Sequence, residues 1–590
     1  MARITIDPVT RVGGHLRIEA DVAAGEVLDA WSSGTMFRGL EAILRGRDAR
    51  DAWMIADRVC GTCTGVHALA SVRAVEDALG ISIPDNARLV RNILAATLAV
   101  RDHIVRFYLA QLPDWVDATV ALGADPTAAS SLARSLGDWP QSSPAYFSGV
   151  RDRLAAASGS GQAGPFATSF PGHPGYQLPA ELSLVLLAHA IEALDWQRDF
   201  MRIHTLLGGR DPHPQSYLVG GVSLTPPWGG PPARRAGEHP QLPDRNTPSA
   251  MSDEGLALID DLIARAQTFI SWVLMPDVLQ LAEAYSDWGK VGVGAARYLA
   301  FGDYPGSAVE AGKLFLPRGR ILGGNLASLS EMNDTSVAES VAASWYADDD
   351  GAEPRRPVNG RTDPAYSGPA LPLATLEGAA KYSWLKAPRY NGQPMEVGPL
   401  ARMAVAYADG QVDVRAAMNA ALTKLGLEPA ALFSTMGRTL ARTVETRVMA
   451  KQAGAWLTQL KGNLAKGDLA LVDGGHWDPG SWPATAEGSS LGEGPRGAVG
   501  HWVAIQDGVV RDYQIVDATT WNASPRDANG VRGPLEQALL GTRVSDPGQP
   551  LEILRTVHSF DPCVACAVHT FNPRSGGAIE IRVNYTETSR

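Results

Sequence analysis

Cysteine is scarce in this chain: four residues in 590. Secreted scaffolds stapled by disulfides carry a far higher density in much smaller domains, so that class is excluded. Lysine and arginine form no long run and no stretch interleaved with aromatics. With a net charge of −11, this argues against nucleic acid as a partner and speaks to solubility instead. Long apolar runs are missing as well. The opening MARITIDPVTRVGG alternates in strand fashion and holds no signal core. The most apolar helix-like stretch, 182–194, is interrupted by Ser183, His189 and Glu192 and is too short to cross a bilayer. The expectation is a soluble chain with no direct membrane span. The cytoplasm is favoured, and export or membrane association through a partner stays open.

What is present is an ordinary globular balance, 45% hydrophobic and 19% charged, in a chain long enough for a large core. Length alone suggests three or four domains at ~150 residues each. The telling motifs, however, lie at opposite ends, which argues for one fold closing on itself. Ile4, Ile6, Leu16, Ile18 and Ala20 alternate as in a small sheet, and Val499, His501, Val503 and Ile505 do so again near the C-terminus. Between them, Leu89, Ile93, Ala96, Val100, Ile104 and Phe107 follow helical spacing from a start at Asp85. Further helices are expected at about 181–207, 253–284 and 429–464. The Ser/Gly/Pro-rich stretches 139–180 and 222–250 hold Trp139, Phe147, Phe170 and Trp228, so they read as packed loops. The fold class expected is α+β and mainly helical: a long-helix bundle core with small flanking β-sheets near both termini.

All four cysteines fall into two C-x-x-C pairs, Cys60/Cys63 in CGTC and Cys563/Cys566 in CVAC. Such a turn brings both sulfurs to one side, and thiolates favour zinc, nickel, copper or iron. Four sulfurs fit a structural zinc site, an iron–sulfur cluster or a catalytic mixed-metal centre. Structural zinc ligands generally lie within a few tens of residues of each other, whereas these pairs are about 500 residues apart. That separation suits a large protein burying a reactive centre.

The neighbouring residues carry a resemblance. RVCGTCTGVH (58–67) and DPCVACAVH (561–569) closely resemble the two metal-binding signatures of the nickel–iron hydrogenase large subunit. FRGLEAILRGRDARDAW (37–53), LPDWVD (112–117), DPHPQSYLVGG (211–221), SWLKAPRYNGQPMEVGPLAR (383–402), EGPRGAVGHW (493–502) and TTWNASPRD (519–527) look like that family too, in its order. The resemblance implies a single large-subunit domain over 1–569. It implies nickel held by all four thiolates, Cys60 and Cys563 as terminal ligands, and Cys63 and Cys566 shared with an iron bearing carbon monoxide and cyanide. Arg496 matches an arginine held over the open metal position, with Asp114 and Asp561 as the carboxylates orienting it. A guanidinium stays protonated, so it serves as an electrostatic clamp and Cys563 is the better proton acceptor. His67 matches a histidine bonded to a bridging sulfur, and Thr519 a hydroxyl facing a cyanide. Pro495 falls beside them in the cofactor-binding set. Glu41 and His569 match ligands of a second, oxygen-loving cation, typically magnesium. Outside these motifs, Arg496 would read as a structural salt bridge, His67 as a satisfied core histidine and Glu41 as a solvated helix face.

The resemblance also fixes partners and a departure. With every cysteine in one site, electrons must leave through another polypeptide, implied to be an iron–sulfur small subunit. Residues 570–590 look like a C-terminal extension removed by a maturation protease after nickel-insertion factors have acted. Where the family string has a glutamate proton relay, this chain has Gly13 in RVGGH, and His15 or ordered water would have to substitute. Two rivals share parts of this pattern: a subunit of the respiratory complex I type and a zinc-stapled structural protein. Both complete pairs together with Arg496 argue against each.

Overall fold

The computed structural model describes residues 2–162, 164–225, 249–307, 312–347, 354–360, 362–368, 375–376 and 380–567. Its fold is α+β and mainly helical, with the sheets at the flanks of a helical core. Strands Ala2–Ile6, Leu16–Ala23 and Glu26–Gly34 form an antiparallel sheet in chain order, with Ile4 opposite Ala20 and Ile18 opposite Ser32. Its second hairpin turns on Ala24 and Gly25, both at positive φ, as the right-handed twist of a two-residue turn requires. The inward face of this sheet (Ile4, Leu16, Ile18, Val27) packs on Leu535, Ile553, Val557 and Phe560, so residues near both ends share one core.

The centre is built from two long helices, Asp85–Val105 and Thr435–Ala465, which pack on each other. Leu89, Ile93, Ala96, Val100, Ile104 and Phe107, the face expected from spacing, are all buried. The first helix continues into a wide π-helical turn, Arg106–Gln111. A second sheet, Thr485–Gly494, Gly497–Gln506 and Val509–Val516, is antiparallel in chain order and lies against helix Val66–Leu79.

Several boundaries differ from the sequence reading, each for a local reason. The helix expected from 429 begins at Thr435, because Ser434 caps it by accepting the N–H of Gly437, while Pro429–Leu432 forms a 3-10 turn. The stretch 139–180 is no mere loop. It contains helix Pro144–Gly159, whose start is Ser143 capping Tyr146 with proline at the first helical position. Its aromatics pack as expected: Phe147 is buried and Trp139 Nε1 donates to Glu192 at 2.6 Å. The helix expected at 181–207 is two, Ala180–Phe200 and Arg202–Gly208, ending at Gly209 with φ 75°. Trp228 lies outside the described residues. The stretch Asp253–Ala284 is apolar and long enough to cross a membrane, but 61% of its apolar window is buried inside the fold, as befits a core helix.

The core is also polar where it approaches the second sheet. Arg402 donates to Glu445 at 2.6 and 2.8 Å, to Glu493 at 2.8 Å and to the carbonyls of Gly494 and Pro495 at 2.9 and 3.0 Å. All three side chains are buried. Removing one partner of a buried pair strands the other charges, at a cost of about 3–5 kcal/mol. Arg402→Ala is therefore expected to lower the thermal unfolding midpoint by several degrees, and calorimetry of the purified protein checks it.

Candidate metal centre

The two C-x-x-C turns meet. Cys60 Sγ lies 3.6 Å from Cys563 Sγ, Cys63 Sγ 3.4 Å from Cys566 Sγ, and Cys563 Sγ 2.9 Å from Cys566 Sγ. All four are buried and none is in a disulfide. The backbone N–H groups of Thr62 and Cys63 point at Cys60 Sγ, at 3.3 and 3.0 Å, as the turn before helix Val66–Leu79 dictates. Asp57 fixes that turn by accepting the N–H of Gly65 at 3.0 Å, where φ is 90°. Arg38 ties both turns together, donating to the carbonyls of Val59 at 2.6 Å and Ala565 at 3.2 Å. Hydrogen bonds from Cys566 and Cys60 pull the Cys63 thiol down to about 6, whereas burial pushes Cys566 well up. Four clustered sulfurs cannot all ionise side by side without a cation, and a soft cation fits this donor set.

Arg496 stands at the tip of the two-residue turn between strands Thr485–Gly494 and Gly497–Gln506. Gly497 has φ 140°, and a Cβ there would meet Gly398 N at 2.7 Å, so only glycine lets the tip press inward. Burial alone would lower the Arg496 guanidinium. Asp102, Asp561 and the nearby thiols of Cys563 and Cys63 outweigh it and hold the group well above its ordinary value. It is therefore a permanent buried cation beside the sulfurs.

The carboxylates that face it differ in part from the sequence reading. Asp561 Oδ1 lies 3.3 Å from Arg496 Nε, and the second carboxylate facing the guanidinium is Asp102, 3.4 Å away, and not Asp114. Asp114 sits in the 3-10 turn Leu112–Asp114 beyond the helix, where it binds Arg11 and His558, each at 2.6 Å. The signal that could have found Asp102 is the Arg101-Asp102-His103 run in the last turn of the helix, where Asp102 is buried between the apolar positions Val100 and Ile104.

Thr519 Oγ1 accepts the backbone N–H of Cys563 at 2.9 Å. The carbonyl of Pro495 is held by Arg402. His67 Nδ1 meets His501 Nε2 at 3.0 Å, and His501 Nδ1 meets the Tyr513 hydroxyl at 2.7 Å. Glu41 is buried, accepting the N–H of Ile515 at 2.8 Å and the Thr362 hydroxyl. Beside it lies a pocket of Lys386, Gln514 and Glu339. Burial raises the Glu339 carboxyl to about 7, and its Oε1 has no hydrogen-bond partner. The Lys386 ammonium, 3.5 Å from Glu339 Oε2, balances one of the two buried carboxylates, and the orphaned oxygen of Glu339 leaves one hard donor for a cation. His569 lies outside the described residues.

Gly13 and Cys563 form an isolated parallel backbone bridge, and a Cβ at position 13 would lie 2.7 Å from Cys563 Sγ. His15 is turned to Asp7, with Nε2 3.1 Å from its Oδ1. His15→Ala is accordingly expected to leave hydrogen–deuterium exchange within about twofold of the unmodified protein; a tenfold fall would restore His15 as a proton carrier. A hydroxyl the sequence reading overlooked, Thr62 Oγ1, lies 3.2 Å from Cys60 Sγ and 3.7 Å from Cys563 Sγ.

Comparison with known proteins agrees with this geometry. The sequence profile of the nickel-dependent hydrogenases matches residues 38–569. The chain is 43% identical to the uptake hydrogenase large subunit of Bradyrhizobium diazoefficiens, over 98% of this chain and 97% of that one. It is 41% identical to the hydrogenase-1 large chain of Escherichia coli K12, with the same coverage. Among solved structures, the reduced Ni-Fe-Se hydrogenase of D. vulgaris Hildenborough superposes with a TM-score of 0.74 at 31% identity, covering 96% of this chain and 100% of that one. Four buried thiols closing on one another beneath a caged arginine, in a chain of this likeness, make it a member of the nickel-dependent hydrogenase family.

Proposed function

We propose that this chain is the catalytic large subunit of an uptake hydrogenase, oxidising hydrogen according to H2 → 2 H+ + 2 e−. The observation that carries the reading is the convergence of Cys60, Cys63, Cys563 and Cys566 within 2.9 to 3.6 Å of their neighbours, under a buried guanidinium.

The four thiolates would hold nickel, Cys60 and Cys563 as its own ligands and Cys63 and Cys566 serving iron as well, and that iron would carry carbon monoxide and cyanide. When bound, this centre supplies the Lewis acidity and redox capacity that hydrogen cleavage requires. Cys563 Sγ receives the proton, since Arg496 is already protonated and stays so. With no side chain at position 13, the Thr62 hydroxyl within reach of Cys563 passes that proton outward. Arg496 acts as an oriented charge and excludes water from the sulfurs. Thr519 pins Cys563 through its backbone, and His67 and Pro495 complete the wall. Glu41, with Glu339 beside it, and His569 would hold magnesium.

Residues 1–569 form the large-subunit domain, and 570–590 are an extension cut by a maturation protease once nickel-insertion factors have loaded the site. All four cysteines being spent, electrons pass to an iron–sulfur small subunit. The subunit is soluble, and the cytoplasm is the favoured compartment. Metal analysis and infrared spectroscopy of the purified complex test the reading together. Nickel and iron in equal amounts, with carbon monoxide and cyanide stretches, are expected. An active sample holding zinc, or lacking those bands, would overturn it.

A further inference from the structure

Asp561 is the junction of the polar cage above the sulfurs. It lies two residues before Cys563, with a left-handed φ of 54°. Besides Arg496, two other guanidiniums converge on it: Arg106 contacts Oδ1, and Arg442 Nη1 lies 3.1 Å from Oδ2. Three guanidiniums thus share two carboxylates, Asp561 and Asp102, in a place where their side chains are at most 11% exposed.

The backbone explains how they arrive there. Asp102 and Arg106 are four residues apart, on one face of helix Asp85–Val105 and its continuation. Arg106 opens the π-helical turn, a widening that recurs where helices carry functional groups. Arg442 comes from helix Thr435–Ala465, and its Nη1 also donates to His103 Nδ1 at 3.1 Å. A guanidinium has donors only, so Nδ1 must be the lone-pair nitrogen of His103. The ring proton is then on Nε2, which donates to Glu445 Oε2 at 3.2 Å. Glu445 is clamped in turn by Arg402. Every link from Glu445 to Asp561 has one orientation.

A cage built for stability alone would match its charges and spend its donors. This one carries a surplus guanidinium. Arg106 Nε and Nη2 and Arg442 Nε, all buried, have no hydrogen-bond partner among the described residues; Arg496 Nε and Nη1, and the facing Asp102 Oδ2 and Asp561 Oδ1, sit at ion-pair distance without hydrogen-bond geometry. Unspent cationic donors gathered on Asp561, two residues before Cys563, suit a centre that gains negative charge as it works. We infer that Arg106 and Arg442 are positioning residues for hydrogen cleavage: they lock Asp561, and through it the fork of Arg496, while their surplus positive charge raises the reduction potential of the metal site. The inference rests on the nickel–iron reading above.

The test uses the large–small subunit complex carrying Arg106→Gln, Arg106→Lys or Arg442→Gln, each assayed for metal content, infrared bands, nickel midpoint potential, kcat and KM for hydrogen. With nickel and iron retained, each Gln variant is expected to lose at least about tenfold in kcat while KM changes less than about threefold. Its potential should fall, because a nearby positive charge has been removed, and its diatomic bands should shift or broaden. Arg106→Lys keeps the charge but not the fork, so its potential should stay near that of the unmodified complex while kcat remains reduced. Unchanged kcat, potential and bands in both metal-loaded Gln variants would overturn the proposal and leave an ordinary buried ion-pair network. A Gln variant that loses its metals is read through Arg106→Lys, where unmodified kcat would count equally against it. Absence of nickel and diatomic bands from the unmodified complex would instead sink the nickel–iron reading itself.

Discussion

Cys563→Ala and Cys60→Ala should each yield a protein that retains no nickel after desalting and oxidises hydrogen only at background. The four sulfurs lie between 2.9 and 3.6 Å from their nearest fellows in a buried space, so each is one quarter of a closed donor set. Alanine removes a soft anionic ligand and leaves a dry gap that no neighbouring oxygen fills with comparable affinity. Cys563 carries a second load, because its backbone N–H is bonded to Thr519 and its backbone is bridged to that of Gly13. Those backbone contacts survive in the alanine variant. The protein should therefore stay folded while empty, and near-ultraviolet circular dichroism should match the unmodified chain. Elemental analysis decides the matter: nickel at the unmodified stoichiometry in either variant would mean that the sulfurs are not its ligands.

The second large effect belongs to Arg496. Arg496→Lys should keep nickel and iron, yet lose roughly 100- to 1000-fold in hydrogen oxidation. A single pre-oriented charge at a reacting centre contributes about 2.7–4 kcal/mol to barrier lowering. Lysine preserves the charge but not the fork that spans Asp102 and Asp561, which lie on different sides of the guanidinium. Its ammonium can satisfy one carboxylate and would leave the other buried and unpaired. Steady-state hydrogen oxidation, normalised to nickel content, measures the loss. Turnover within twofold of the unmodified enzyme would make Arg496 a structural residue.

Much of this was legible in the chain before its shape was known, and the reason is local chemistry. The sulfur cluster could be read because a C-x-x-C turn brings its two sulfurs to one side whatever surrounds it. Helix Asp85–Val105 could be read because its apolar residues recur at helical spacing. Asp102 was missed because the choice between two nearby aspartates depends on how far a helix runs before it ends. The π-helical turn at Arg106–Gln111 that carries the chain past Asp102 has no compositional mark. Helix Pro144–Gly159 is marked by its Ser143–Pro144 cap and a short apolar stripe, Phe147, Val150 and Leu154, but the Ser, Gly and Pro residues that surround it make the whole stretch read as loop. The partners of Arg402 and Arg442 come from segments far apart in sequence, and no spacing rule reaches across such distances.

The separation of the two cysteine pairs has a consequence for biosynthesis. Cys60 and Cys563 are 503 positions apart. At roughly 5–20 residues per second on the ribosome, the first pair emerges on the order of 25 to 100 s before the second. Throughout that interval the CGTC turn is a lone dithiol with no metal-binding counterpart, open to oxidation or to capture by zinc. No fragment from either end can be rescued, since neither half of the chain contains a site.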